Sequence, residues 1–204
     1  MTTSARSSRA DHPCGPSELR AQVDALDRAV YDAVADTPTP RLDRLMVSVS
    51  NAANYSRLWL ATAAAVAALG GARGRRAACQ GVLAIALTSA VTNLVLKTLA
   101  RRQRPARSDN QPVADSRRVR RPVSTSFPSG HAASAFAFAS AMGQALPSIR
   151  VPALVAAGTV AYSRVHTGVH YPSDVVIGAV VGDLCAGAAQ RLATHLTLCA
   201  ATET

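Results

Sequence analysis

Aromatic residues, lysine and paired cysteines are what this 204-residue chain has little of. Phe, Trp and Tyr together make up 4% of it, while alanine stands at 42 positions. That balance argues against an all-β domain and for helix. The four cysteines, Cys14, Cys79, Cys185 and Cys199, are scattered, with no CxxC pair and no metal-ligand spacing. They offer neither a disulfide scaffold nor a zinc site, and the last three, in apolar context, read as small buried hydrophobes. The opening MTTSARSSRADHPCGPSELR has no apolar core of a secretory signal. Residues 1–16 are expected to form a disordered polar lead, and any membrane insertion is expected to use segments within the chain.

Acidic charge is also short, 12 Asp and Glu against 22 Lys and Arg, for a net charge of +10. Of the basic residues 21 are arginine, and Lys97 is the single lysine. Such a surplus suits nucleic acid, an anionic membrane or a phosphate substrate equally, so its placement decides. Eight arginines fall between Arg101 and Arg121, whereas 77–96 and 132–149 carry no formal charge. A basic loop between two apolar segments is a membrane pattern, and no nucleic-acid partner is expected.

From Ser17 to Asp36, Leu19, Val23, Leu26, Val30 and Val34 recur at helical spacing, with Ser17 placed as an N-cap. Five acidic residues make this 17–36 helix too polar to span a bilayer, and it reads as an amphipathic interfacial helix. The TPTP run at 37–40 ends it. Five apolar segments follow: 42–70, 77–96, 132–149, 151–163 and 175–199. Twenty uncharged residues at 77–96 reach ~30 Å, the thickness of a bilayer core. Gly178 and Gly182 form a GxxxG pair suited to close helix packing. The expected fold is all-α: a membrane bundle of about five spans over 42–199, a polar Arg-rich loop at 101–127, and the N-terminal amphipathic helix.

Polar residues gather at three span ends: Lys97 with Arg104 and Pro105; Pro128-Ser129-Gly130-His131; and Ser163-Arg164 with His170 and Asp174. If the segments alternate in direction, all three emerge on one side. Three cations could then hold a phosphate dianion, and the Ser129-Gly130 helix start could present backbone N–H groups to it. Asp174, four residues after His170, could orient that imidazole for nucleophilic attack, while His131 could protonate a leaving alcohol. His166 and Asp183 read as structural, and His12 and His195 as solvent or interface residues. Arg117, Arg118, Arg120 and Arg121 read as a solvated loop attracted to anionic lipid.

The blocks Lys97-x6-Arg104-Pro105, Pro128-Ser129-Gly130-His131 and Ser163-Arg164-x5-His170-x3-Asp174 resemble the signature of the type 2 phosphatidic acid phosphatase family. The resemblance covers about residues 42–197. It implies a helical bundle that removes phosphate from membrane lipid phosphates without metal or cofactor. It further implies His170 as the nucleophile of a phosphohistidine, Asp174 as its activator and His131 as general acid. Lys97, Arg104, Ser129, Gly130 and Arg164 would bind the phosphoryl oxygens. Candidate substrates carry a phosphomonoester or pyrophosphate: phosphatidic acid, phosphatidylglycerophosphate and polyprenyl phosphates or diphosphates.

Two other readings stay open on sequence grounds: a vanadium-dependent haloperoxidase, whose pocket resembles the same blocks, and a non-catalytic membrane protein that binds anionic lipid. Orientation in the cell membrane is balanced. The arginines of 101–121 pull the site inward, while Arg73, Arg75 and Arg76 at the opposite end favour an outward-facing site. The resemblance tips the expectation to the outer face.

Overall fold

A computed structural model describes residues 15–105, 115–120 and 123–202. The polar lead, His12, Cys14, Arg107, Arg121 and the side chains of His195 and Cys199 lie outside the described residues. All regular structure among those described is helical.

Helix α1 (Pro16–Asp36) starts one residue ahead of the expected cap. Pro16, preset for the first helical position, places the N-cap at Gly15, whose N–H donates to Glu18 Oε2 at 3.3 Å. Pro40 opens α2 (Pro40–Ala52) in the same way. The 42–70 segment is not one helix. It breaks at Asn54–Ser56, where Tyr55 (φ 54°) and Ser56 (φ 56°) are both left-handed, and restarts as α3 (Arg57–Leu69). No Gly or Pro marks that break in the sequence. Gly71, at φ 58°, reverses the chain into α4 (Gly71–Ala90). α4 continues through a π-helical turn, Val91–Leu96, into α5 (Lys97–Ala100), one 30-residue rod. Then come α6 (Gly130–Ala145), α7 (Arg150–His166) and α8 (Pro172–Thr202).

Helix α6 is the hub, packed by α4, α7 and α8. Small residues allow this. A Cβ on Gly182 would lie 2.2 Å from the Ala133 carbonyl oxygen, and one on Gly178 2.6 Å from that of Ser129. The GxxxG pair is thus where the α8 backbone rests on α6. Trp59 and Phe138, ring centroids 5.4 Å apart, fill the gap between α3 and α6. Asp183 accepts a 2.6 Å hydrogen bond from Ser140 within the α6–α8 pair. Cys185 is buried, but Cys79 is exposed, contrary to its expected burial: α4 turns Ala77, Ala78 and Gly81 inward and Cys79 out. Among the described residues two helices, Gly71–Ala100 and Pro172–Thr194, are long and apolar enough to cross a membrane.

The ends of α5 and α7 and the starts of α6 and α8 meet at one end of the bundle, and α1 and α2 lie across it. α2 reaches it through Asp43 to His166 and Ser50 to Arg164, and α1 through Asp27 to Ser173. α1 turns its apolar stripe outward, leaving Leu19, Val23, Leu26 and Val30 exposed, while Asp27 and Tyr31 are buried. Arg117 is not in a solvated loop. It is 2% exposed, pairing with Asp43 at 2.7 Å and donating to the Val34 and Thr37 carbonyls at the end of α1. The buried carboxylate and helix-end carbonyls compensate the guanidinium. His166 joins the same cluster, its Nε2 2.8 Å from Asp43, away from the candidate site residues.

Candidate active site

Each cluster is positioned by a helix end. Lys97 stands where the π turn passes into α5, donating to Asn93 (2.9 Å) and Ser124 (3.3 Å). Its Nζ would be 3.7 Å from a Cβ on Gly130, so the bare glycine lets the start of α6 approach the ammonium. Ser129 caps α6, its hydroxyl accepting from the Ala132 N–H, and its own N–H donates to the Asp174 carbonyl at 2.9 Å. Past α5, Arg101 at φ 40° turns the chain so that Arg104 faces the mouth. Arg104 is held by the Ser124, Thr125 and Val169 carbonyls and donates to His170 Nε2 at 3.0 Å. Arg164, in the last turn of α7, is buried; Nη1 donates to Ser50, while Nε and Nη2 have no hydrogen-bond partner among the described residues.

Gly168 (φ 67°) turns the chain after α7, and the Arg164 carbonyl accepts from the His170 N–H. An arginine can only donate, so the His170 Nε2 facing Arg104 carries the lone pair and the ring proton sits on Nδ1. That nitrogen faces Asp174 Oδ2 at 3.6 Å, longer than a formed hydrogen bond. Burial pushes the His170 pKa down to about 4, against the opposing pull of Asp174, and the Arg104 and Arg164 charges lower it further. The imidazole is therefore neutral near pH 7, with its lone pair among cations. His131 lies within electrostatic reach of Lys97, Arg104, Arg164 and His170, and its Nε2 is 3.0 Å from Asn54 Oδ1. Since that oxygen only accepts, the His131 proton is on Nε2. All eight candidate residues thus line one end of the bundle.

Four further residues support them. Arg102 Nη1 donates to Asp174 Oδ1 at 2.9 Å, and Nη2 reaches Asp24 and Asp27 of α1 at 2.7 Å each. Its guanidinium also stacks 4.6 Å over the Tyr171 ring. Ser126 donates to Asp174 Oδ2, which also accepts from the Tyr171 N–H at 2.9 Å. Asp27 accepts from the N–H (2.9 Å) and hydroxyl (2.5 Å) of Ser173, adjoining Asp174. Asn54, at the α2–α3 break, fixes the His131 tautomer. Arg102 falls within the Lys97–Arg104 block but is one of three arginines there, so only its pairing distinguishes it.

The PAP2 superfamily model matches residues 77–197, more than half of the chain. The chain belongs to the PAP2 superfamily. A decaprenylphosphoryl-5-phosphoribose phosphatase of Mycobacterium tuberculosis is 43% identical over 93 residues, 44% of this chain and 46% of that protein. The Mycolicibacterium smegmatis protein of the same name is 36% identical over 64% of this chain and 68% of its own length. A lipid A 4'-phosphatase of Bacteroides thetaiotaomicron is 36% identical over 50% of the chain and 48% of its own length. The alignment thus spans about half the length of the first of these relatives. The fold is similar to that of Aquifex aeolicus LpxE, with TM-score 0.66 and 23% identity over 81% of this chain and 95% of that one. It is likewise similar to a transmembrane PAP2-type phosphatidylglycerolphosphate phosphatase of Bacillus subtilis, with TM-score 0.64, 22% identity, and coverage of 85% and 87%. Two apolar helices among the described residues, on a fold similar to that of a transmembrane phosphatase, point to a membrane protein.

Proposed function

We propose that this superfamily member is a metal-independent phosphatase of membrane lipid phosphates that works through a phosphohistidine. The observation that carries the reading is His170. Its Nε2 lone pair faces Arg104, and its Nδ1 side faces a carboxylate held by Arg102, Ser126 and Tyr171.

The phosphoryl oxygens bind Lys97, Arg104, Arg164 and the helix start at Ser129-Gly130. The unpartnered Arg164 N–H groups gain acceptors, and Arg104 shifts its Nη1 donor from His170 to a phosphoryl oxygen, freeing the lone pair. Nε2 attacks phosphorus: the N–P bond forms, the bond from phosphorus to the alcohol oxygen breaks, and His131, which takes up a second proton when the phosphate dianion binds beside it, gives that oxygen a proton. Asp174 stabilises the cationic ring. Water, losing a proton to His131, then attacks phosphorus; the N–P bond breaks and inorganic phosphate leaves. Three side-chain cations supply the charge stabilisation that phosphoryl transfer chiefly requires.

The site fits at a membrane surface. In this reading five helices cross: α3, the α4–α5 rod, α6, α7 and α8. α3, with 13 residues and ~20 Å, crosses where the bilayer is thinned. α1 lies in the interface with Leu19, Val23, Leu26 and Val30 toward lipid and its acidic face on the bundle. Arg73, Arg75 and Arg76 at the opposite end support an outer-face site, against the larger basic count of 101–121, part of which is engaged by phosphate and by Asp43. Phosphatidic acid, phosphatidylglycerophosphate and polyprenyl phosphates remain the substrate candidates, and the relatives' names add lipid-linked sugar phosphates.

The test is phosphate release from such a lipid panel in detergent with EDTA. Turnover that persists in EDTA and vanishes in His170→Ala is expected. Full dependence on added magnesium, or full activity of His170→Ala, contradicts the reading.

A further inference from the structure

Asp174 is held in part from α1, outside the matched superfamily region. Asp24 and Asp27 each pair with Arg102 Nη2 at 2.7 Å, and Arg102 Nη1 reaches Asp174 at 2.9 Å. Asp27 also accepts from the N–H and hydroxyl of Ser173. One turn along α1, Tyr31 packs on the other side of the same loop. A Cβ on Gly168 would lie 3.2 Å from its hydroxyl, and its ring meets that of Tyr171 edge-on, centroids 6.0 Å apart. α1 thus grips the 168–173 segment, which carries His170, at both ends.

The same contacts fix the depth of α1. Arg102 stands two residues beyond the rod Gly71–Ala100, and Ser173 is the second residue of Pro172–Thr194; these are the two helices long and apolar enough to cross a membrane. A helix bound to both of those ends lies where they leave the hydrocarbon. Along it, Leu19, Val23, Leu26 and Val30 form a stripe ~17 Å long, from 37% exposed at Val30 to 64% at Leu26. At the helical spacing of residues this stripe is about a quarter of a turn from the face of Asp24, Asp27 and Tyr31. One face therefore rests on the end of the bundle while the adjoining face meets lipid. A 21-residue helix with five carboxylates is marginal by itself, so each occupied face stabilises the helix for the other.

We propose that α1 is a clamp set by the bilayer, which couples the alignment of His170 and Asp174 to lipid contact with the Leu19–Val30 stripe. Asp27 is the positioning residue through which the stripe acts. Lipid shifts the equilibrium because it binds the helical, docked α1 better than the frayed one. The phosphate ligands are untouched, so the effect falls on kcat. The inference rests on the phosphatase reading and adds a regulation of that site.

The experiment uses the full chain in nanodiscs of phosphatidylcholine and phosphatidylglycerol. Its probe is water-soluble dihexanoyl phosphatidic acid, which reaches the site without passing through the bilayer. Leu19→Asn/Leu26→Asn should lower kcat about fivefold, leave KM within about twofold, and speed amide hydrogen exchange across 19–31. Leu19→Ile/Leu26→Ile, which keeps the stripe apolar, should stay within about twofold of wild type in kcat. In an Asp27→Asn background the two asparagines should cost less than about twofold more, because the link they act through is already cut. Wild-type kcat or unchanged exchange in the asparagine pair, or equal losses in the two backgrounds, overturns the clamp and leaves the phosphatase reading standing. If the wild type releases phosphate from no lipid phosphate at all, both fall.

Discussion

Replacing Arg102 by Gln should cripple turnover while sparing substrate affinity. Arg102 is not among the phosphate ligands; it ties Asp174 to α1 through pairs of 2.9 Å to Asp174 and 2.7 Å to both Asp27 and Asp24. Asp174 and Asp27 have side chains 0% and 3% exposed, so each loses its counter-charge in a place water barely reaches. Stripping one partner from a fully buried pair costs about 3–5 kcal/mol. Arg102 is itself partly exposed, and Ser126, Tyr171 and Ser173 remain as donors to the two carboxylates, so about 2–3 kcal/mol is the appropriate figure here. If that loss falls on the transition state, where the His170 ring becomes cationic, kcat drops about 30- to 150-fold. KM should change less than about threefold, because Lys97, Arg104, Ser129, Gly130 and Arg164 are untouched. Asp27→Asn should act in the same direction and more weakly, although it lies on a helix outside the matched superfamily region. Steady-state phosphate release in detergent, with thermal melts of both variants, measures this. Wild-type kcat in Arg102→Gln, or a loss confined to KM, would refute the reasoning.

Other outcomes follow from the same geometry. With its pKa near 4 rather than the usual 6.5, the His170 ring should be about nine-tenths neutral at pH 5, where an ordinary histidine is about 3% neutral. A histidine NMR titration, assigned with His170→Asn, should show it titrating near pH 4, and a midpoint near 6.5 contradicts the burial argument. Because the unfolded chain takes up this proton first, the His170 contribution to stability should shrink as pH falls from about 6.5 to 4 and then level off. Lys97→Arg keeps the charge but sets a larger fork beside Gly130, Asn93 and Ser124; kcat/KM should fall at least about tenfold, and full activity would reduce the lone lysine to coincidence. Gly182→Val drives a Cβ into the Ala133 carbonyl and should lower stability by about 1–3 kcal/mol, read as a drop in Tm in detergent.

The helices and the end of the bundle where chemistry gathers were legible because both rest on local signals. Charge-free stretches of helical length marked α4, α6 and α7, an apolar stretch broken by Asp183 and Arg191 marked α8, and the polar blocks stood at their ends. Ser129 marked a helix start that the structure contains. Contacts across the chain were not legible. The break at Tyr55–Ser56 has no glycine or proline to mark it, since strain there is sustained by tertiary packing. The α1 stripe was visible, but not that it faces outward, because the decisive partner, Arg102, lies more than seventy residues away. Arg117 looked like surface charge for the same reason: its compensation comes from Asp43 and the carbonyls at the end of α1. An ion pair between distant segments leaves no periodicity to read. The eight candidate residues could be placed together only by assuming alternating helices, and the contacts of Arg104 with His170 and of Ser129 with Asp174 bring those helix ends together.

The central claim, that His170 takes the phosphoryl group, is met most directly by trapping the intermediate. The full chain would be mixed for milliseconds with a lipid phosphate labelled with 32P, quenched in alkali, digested and sequenced by mass spectrometry. Phosphate on the His170 imidazole, alkali-stable, acid-labile and absent from His170→Asn, is the expected result. A label on another residue, or full turnover in a variant lacking His170, would contradict the account.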